Sequence, residues 1–140
     1  MSAPESRQAF VDAFLSGDRL GALLGARFVS LTADECRYEY EARPEHFNPN
    51  GILHGGALYG AMDSSQGMLV MALLQGSPHF AATGTATIKY LAPVRSGKVA
   101  IRTVVTGREG RKIFVRSEAV DEAGKTVALL EEIWITLARG

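Results

Sequence analysis

One segment constrains the fold more than any other: residues 55–74 have the sequence GGALYGAMDSSQGMLVMALL and carry a single charge, Asp63. Gly76 and Pro78 follow it, and the segment is predicted to form one long helix that ends near Leu74. Three internal glycines each lower helix propensity by about 1 kcal/mol relative to alanine, and a helix broken at Gly67 is the alternative. Because nearly every side of this helix is apolar, other parts of the chain must wrap around it.

Strand patterns lie on both sides of the helix. Residues 36–43 alternate between apolar and charged side chains, which is typical of a half-buried strand. Beyond Ser77, turn-forming residues separate four further predicted strands, at residues 80–91, 98–107, 112–121 and 126–138. The order of strand, long helix and four strands predicts an α+β fold. Its antiparallel sheet of five to six strands would wrap around the one central helix.

The sequence as a whole fits a single domain spanning residues 1–140. Residues 1–24 form a predicted helical leader, because Phe10, Val11, Phe14 and Leu15 have the spacing of a short amphipathic helix. Asp18 and Gly21 interrupt this pattern before a second short apolar group.

Composition excludes several classes of protein. Fifteen basic and fifteen acidic residues give no net charge, which argues against general nucleic-acid binding. The one cysteine, Cys36, leaves no disulfide framework. The N-terminus lacks the features of a signal peptide, and the longest apolar run, 68–74, is far shorter than a membrane span of about 20 residues. We therefore expect a cytoplasmic protein without membrane association.

The zero net charge hides a basic segment at residues 89–116, which holds eight basic residues and one acid, Glu109. Composition alone favours a solvated strand face for this segment. The alternative is that the segment attracts a polyanionic ligand.

The candidate chemistry lies between Asn48 and Asp63. Gly55 and Gly56 open the helix with N–H groups that have no intrahelical acceptor, and such groups can stabilise an oxyanion. Asp63 is the only charge in residues 51–88, and a carboxylate buried in an apolar helix is costly unless it is paired or used. The alternative is that Asp63 only hydrogen-bonds a neighbouring turn.

Other catalytic templates are missing from the sequence. It contains no G-x-S-x-G elbow, no Walker loop and no G-x-G-x-x-G motif. The three histidines and Cys36 lack zinc-ligand spacing, so we expect no metal. His54 is expected to cap or brace the turn before the helix rather than to take a proton.

The spacing of Gly55 and Asp63 has a geometric consequence. Eight residues of helix separate them by about 12 Å along the axis. A reacting carbonyl needs an oxyanion donor and an attacking group each within about 3 Å. If both residues are catalytic, the site must combine Gly55 of one subunit with Asp63 of another, as two antiparallel helices across a twofold axis would allow.

The motif NPNGILHGG at residues 48–56, followed by AMDS at 61–64, resembles the signature of hotdog-fold acyl-CoA thioesterases of the PaaI-like, phenylacetate-pathway branch. The resemblance extends from the leader near Leu20 to the final strand. It includes the run TATIKYLAP at residues 85–93, which is similar to the family's strand after the helix. It implies a hotdog thioesterase domain that hydrolyses an aryl- or medium-chain acyl-CoA.

The resemblance also implies roles for individual residues. Asp63 would be the general base or the nucleophile, and the Gly55 N–H would polarise the thioester carbonyl. Asn48 would help to position the carbonyl or the water, and Thr83 would hold water near Asp63. We place His54 with these residues as their brace.

Partners follow from the same resemblance. The family's sites span a subunit interface, so a homodimer or a homotetramer built as a dimer of dimers is implied. No metal or bound cofactor is needed, since coenzyme A is part of the substrate. Its phosphates would give the basic segment a purpose, with Arg95, Arg111 and Lys112 as contacts. Gly56 completes the predicted substrate-binding set.

Two other functions remain open at this point. A hotdog-type enoyl-CoA hydratase or dehydratase would pair a carboxylate with a catalytic histidine, whereas His54 precedes Asp63 and would face elsewhere in the helix. A non-catalytic acyl-CoA-binding module, such as the ligand domain of a regulator, is weakened by the lack of a helix-turn-helix segment.

Overall fold

The computed structural model describes residues 3–140, which form one antiparallel six-stranded sheet and three α-helices. The order of strands across the sheet is β1-β2-β4-β5-β6-β3. A 3₁₀ turn, Pro44–His46, precedes the loop that leads into the third helix. The elements are α1 Ala3–Gly17, α2 Arg19–Leu24, β1 Ala26–Leu31, β2 Glu35–Glu41, α3 Gly55–Leu73, β3 His79–Tyr90, β4 Lys98–Glu109, β5 Lys112–Val120 and β6 Thr126–Ala138.

The predicted α+β fold with one long central helix is confirmed. Helix α3 runs unbroken through Gly67, and the four late strands lie within two residues of their predicted bounds. Strand β1 was not predicted as a separate element. Its register against β2 shifts between Phe28 and Ser30, and this irregularity breaks the alternation by which a strand is recognised. The leader forms two helices, and its first two residues lie outside the described range.

Strand β2 buries the face that its alternating pattern predicts. Cys36, Tyr38 and Tyr40 are each at most 1% exposed and pack with α3 residues such as Met62 and Leu69. Burial raises the pKa of the Cys36 thiol to about 12, so this cysteine remains a neutral core residue at physiological pH.

The other side of α3 is covered by the leader helices. At Gly60 a Cβ atom would lie 2.5 Å from Leu24 Cδ1, and at Gly67 one would lie 3.3 Å from Phe14 Cζ. The nearest neighbours of these two glycines come from α1 and α2, so the small residues make room for the leader.

A chain of buried hydroxyl and amide groups ties α3 to the sheet. Ser65 Oγ lies 2.8 Å from Thr103 Oγ1, which lies 2.7 Å from Ser117 Oγ. Gln66 Nε2 donates to Ser117 Oγ at 3.1 Å, and Trp134 Nε1 donates to Gln66 Oε1 at 3.0 Å. Because each group has a partner, these polar side chains fix the rotation of α3 about its axis without leaving an unsatisfied atom among them.

Candidate active site

The loop before α3 is built around Asn48. Its Oδ1 accepts hydrogen bonds from the backbone N–H groups of Asn50 and Ile52, at 2.9 and 3.2 Å. Gly51 has φ +73°, a left-handed conformation that glycine adopts without strain. The carboxamide oxygen of Asn48 is therefore committed to the turn, while its amide nitrogen has no hydrogen-bond acceptor within residues 3–140.

His54 is the N-cap of α3. Its Nδ1 accepts a hydrogen bond from the Gly56 N–H at 2.9 Å, which is the capping role expected for it. The Gly56 N–H, predicted to bind substrate, is thereby already paired within the chain. The neighbouring Gly55 N–H has no acceptor in the described part of the chain, so it is the N–H at this helix start that is available to a ligand.

Tyr90 explains why residue 55 is glycine. Its hydroxyl donates to the Gly55 carbonyl oxygen at 2.7 Å, and its ring lies directly beside the helix start. A Cβ atom at position 55 would lie 2.9 Å from Tyr90 Cζ and from its hydroxyl oxygen. A larger residue at position 55 would push Tyr90 away, so the close approach of the ring requires glycine.

Asp63 lies in the middle of α3, half-buried, where two surface clefts meet. The first cleft, of about 410 Å³, is bordered by Phe14 and Trp134, and we call it the Phe14 cleft. The second, of about 420 Å³, is bordered by His54 and Tyr59, and we call it the His54 cleft. A ligand in either cleft would pass the Asp63 carboxylate.

Thr83 contacts Asp63 directly. Its Oγ1 donates to Asp63 Oδ1 at 3.4 Å, at the long end of the hydrogen-bond range. The register of β3 against β6 shifts between Thr83 and Thr85, which makes Gly84 the extra residue of a β-bulge. Bulges re-aim side chains beside active sites, and this one lies next to the residue that reaches Asp63.

Sequence reasoning missed Glu132, which lies beside Asp63. It is 2% exposed, and Tyr59 donates to its Oε2 at 2.9 Å. Burial, reinforced by the neighbouring Asp63 carboxyl, raises the pKa of Glu132 to about 8, although Tyr59 and Trp134 oppose the change. The signal was present in the alternation of β6, which places Glu132 on the same buried face as Leu130 and Trp134.

Gly55 and Asp63 do not meet within one chain. Both lie on the continuous helix α3, eight residues apart. Their separation is therefore about 12 Å along the axis, as the sequence indicated.

The predicted basic contacts are divided between two ends of the sheet. Arg95 lies in the loop before β4, close to the start of α3, because the Leu53 N–H donates to the carbonyl of Val94 at 2.8 Å. Arg111 and Lys112 lie in the hairpin after β4. The twelve residues of β4 separate them from Arg95 by about 36 Å along the strand. One chain does not bring Arg95 together with the other two.

The described residues contain neither a candidate metal site nor a candidate membrane span. Across residues 3–140, no group of three or more His, Cys, Asp or Glu side chains is placed to hold a metal ion. None of the helices described is long and apolar enough to cross a membrane.

A match between this sequence and a family profile shows the family of the chain. A sequence profile described as "Thioesterase superfamily" matches residues 50–128, which is more than half of the chain and includes α3 and strands β3, β4 and β5. The chain belongs to the thioesterase superfamily. Membership supports thioester hydrolysis as the general activity, and no curated protein sequence is significantly similar to this member.

Solved structures confirm the hotdog fold and its likeness to PaaI. The Escherichia coli PaaI protein of the phenylacetic acid degradation operon superposes with a TM-score of 0.87 at 19% identity, covering 98% of this chain and 97% of its own. A phenylacetic acid degradation-related protein from Ralstonia eutropha gives 0.80 at 23% identity, covering 90% and 98%. A Haemophilus influenzae thioesterase gives 0.81 at 18% identity, covering 89% and 86%. At these identities the likeness shows the fold of this superfamily member.

Proposed function

We propose that the protein hydrolyses an aryl- or medium-chain acyl-CoA to the free acid and coenzyme A. The observation that carries this proposal is the placement of Asp63. It is the one carboxylate of α3, it is half-buried, and it lies where the Phe14 cleft and the His54 cleft meet. Membership of the thioesterase superfamily supports the same reaction class.

In the proposed hydrolysis, Asp63 and the Gly55 N–H act on the thioester from opposite sides. Asp63 either takes a proton from water, which attacks the carbonyl carbon, or attacks that carbon itself to form an anhydride that water then cleaves. The Gly55 N–H donates to the carbonyl oxygen as negative charge develops on it. The C–S bond breaks, and the coenzyme A thiolate leaves and is protonated.

A second copy of the chain is needed for this arrangement, because Gly55 and Asp63 are too far apart on one helix. The edge strand β3 supports such an assembly. Residues 84–87 are all exposed. They include Ala86, whose partner across the sheet, Glu132, is buried on the α3 side. The part of the sheet next to the candidate site is therefore left uncovered by its own chain. We propose a homodimer or a dimer of dimers in which a second copy covers it.

Coenzyme A brings phosphates that need basic partners. Arg95, exposed and near the start of α3, is the proposed contact within the subunit that supplies Gly55. Arg111 and Lys112, at the far end of β4, would reach a nucleotide bound to a different copy. This division fits a site that is shared between subunits.

Replacing Asp63 by Asn tests the proposal. The amide is nearly the same size but neither accepts a proton nor attacks as a carboxylate, so we expect Asp63→Asn to lower kcat by at least ~10². Release of free thiol would be followed over aryl-, short-, medium- and long-chain acyl-CoAs. Asp34→Asn, in the exposed turn between β1 and β2, is the matched control and should retain wild-type kcat.

The same assay separates the alternatives. An Asp63→Asn variant that keeps most of its activity on a good acyl-CoA would refute the role of Asp63. A change in enoyl absorbance without thiol release would indicate a hydratase or dehydratase. Tight binding of acyl-CoA without turnover over the whole panel would indicate a binding module.

A further inference from the structure

Glu132 is a buried carboxyl group with an incomplete set of partners. Its Oε2 accepts the Tyr59 hydroxyl at 2.9 Å, whereas its Oε1 is buried and has no hydrogen-bond donor among the described residues. Burial and the neighbouring Glu132 raise the pKa of Tyr59, so the phenol keeps its proton and acts as the donor. An ionised Glu132 would therefore hold a buried, unpaired anionic oxygen, which is unfavourable.

A protonated Glu132 removes this problem. Its Oε2 would accept from Tyr59 as the carbonyl oxygen, and Oε1 would carry a hydrogen that needs an acceptor. The Asp63 carboxyl is a neighbour that raises the pKa of Glu132, and it can accept this hydrogen. Two ionised carboxylates cannot hydrogen-bond to each other, so this contact requires one proton between them.

Among the described residues around Glu132, no cation favours its ionisation. Glu132 is flanked across the sheet by Val115 of β5 and Ala86 of β3, and from α3 the titratable groups facing it are Tyr59 and Asp63. Burial and the Asp63 carboxyl raise the pKa of Glu132 to about 8, above neutral pH. The incompletely partnered buried oxygen and the raised pKa thus both point to Glu132 as the group that holds the proton.

We propose that Glu132 is a positioning residue for Asp63: at neutral pH it stays protonated and donates a hydrogen bond from Oε1 to the Asp63 carboxylate. This inference rests on the proposed function, since it assigns Asp63 the reactive role. Thr83 is a second, weaker donor to the same carboxylate, at 3.4 Å. Together the two donors hold Asp63 in one orientation, as a base or nucleophile requires.

The proposal predicts how activity depends on pH. Above about pH 8 Glu132 loses its proton, the hydrogen bond to Asp63 is lost, and a second negative charge appears beside it. We therefore expect kcat, corrected for uncatalysed thioester hydrolysis, to fall as the pH rises through this value.

Glu132→Gln is the decisive variant because its amide imitates the protonated acid at every pH. The amide oxygen can accept from Tyr59 and the amide N–H can donate to Asp63. We expect kcat of Glu132→Gln within about threefold of wild type at pH 7, with the alkaline decline removed. Glu132→Ala, which leaves Asp63 without this donor, should lose at least about tenfold at pH 7. Glu131→Gln, exposed on the opposite face of β6, is the matched control and should keep the wild-type profile.

A second measurement does not depend on catalysis. Titration of the wild-type protein labelled with ¹³C at glutamate side-chain carboxyls should show one resonance, absent in Glu132→Gln, with a pKa well above 7. The folded state holds this proton more tightly than the unfolded state, whose pKa is about 4.5. The stabilising contribution is therefore complete below about pH 4.5 and is lost as the pH rises towards about 8, and Glu132→Gln should lack this loss.

Failure of this proposal is distinguishable from failure of the proposed function. A Glu132 resonance that titrates near 4.5 would overturn the protonated carboxyl, even if the protein is an active thioesterase. An unchanged alkaline limb in Glu132→Gln would overturn its positioning role. If no acyl-CoA is hydrolysed, the carboxyl titration still decides the protonation state, and the proposed function fails separately.

Discussion

Position 55 has two requirements, one steric and one chemical, and glycine meets both. Its lack of a side chain admits the Tyr90 ring, whose hydroxyl donates to the Gly55 carbonyl at 2.7 Å. Its N–H is left open because the His54 cap takes the Gly56 N–H instead. The steric requirement and the proposed chemical requirement can be separated by removing Tyr90 first.

Gly55→Pro in a Tyr90→Ala background removes the N–H without a clash between the added ring and Tyr90. Proline suits the first residue of a helix, and His54 before it has φ −62° and ψ 130°, an extended conformation that a following proline favours. We expect the double variant to lower kcat by about 10² relative to Tyr90→Ala, as loss of an oxyanion donor does.

The matched control is Gly55→Ala in the same background. It adds a side chain of one carbon but keeps the N–H, so its kcat should stay close to that of Tyr90→Ala. Equal kcat values for the proline and alanine double variants would contradict the oxyanion role of Gly55. Circular dichroism would show whether α3 is intact in both.

At the scale of elements, the buried polar chain sets how α3 sits on the sheet. Thr103 is its centre, since its hydroxyl contacts both Ser65 and Ser117. The series of buried hydrogen bonds continues through Gln66 to Trp134, which borders the Phe14 cleft. The orientation of Asp63 thus depends on polar contacts as well as on apolar packing.

Thr103→Val measures the strength of this connection. Valine has nearly the same shape but leaves the Ser65 and Ser117 hydroxyls with fewer partners in the core. We expect the free energy of unfolding in urea to fall by about 1–3 kcal/mol. Thr106→Val is the control, because its hydroxyl bonds the Phe114 carbonyl at the exposed surface, and it should change stability by less than about 0.5 kcal/mol. A similar loss in both variants would contradict a special role for the buried chain.

Elements whose apolar residues follow a regular pattern were predictable from the sequence. The long apolar segment gave α3, and alternation gave β2 and the four late strands. Strand β1 was missed because its bulge interrupts the alternation. Glu132 was missed for a related reason: Glu131 stands beside it, and two adjacent acids suggest a solvated surface although only one of them faces outward.

At the scale of the whole molecule, the two edges of the sheet differ. Strand β1 has six residues and a bulge, features that blunt an edge against pairing. Strand β3 has twelve residues, and its central residues 84–87 are exposed. A long exposed edge of this kind favours pairing with another chain, so we expect β3 to face the second copy.

The candidate site could be predicted from one sequence only in part. Asp63 stood out as a lone charge, and the 12 Å separation from Gly55 follows from helix geometry alone. The basic residues could not be assigned, because sequence order does not show that Arg95 and Arg111 lie at opposite ends of β4. Contacts between copies depend on surfaces that no pattern within one chain describes.

A mixed dimer tests the central claim, that Gly55 of one subunit acts with Asp63 of another. Asp63→Asn would be mixed under reversible unfolding with the Gly55→Pro, Tyr90→Ala variant, each nearly inactive alone. Random pairing makes half of the dimers mixed, and each mixed dimer has one site of two with both groups intact, so about a quarter of the full number of sites should return. Recovery of thiol release to about that level is the predicted result. Activity that stays at the average of the two parent variants would contradict a shared site.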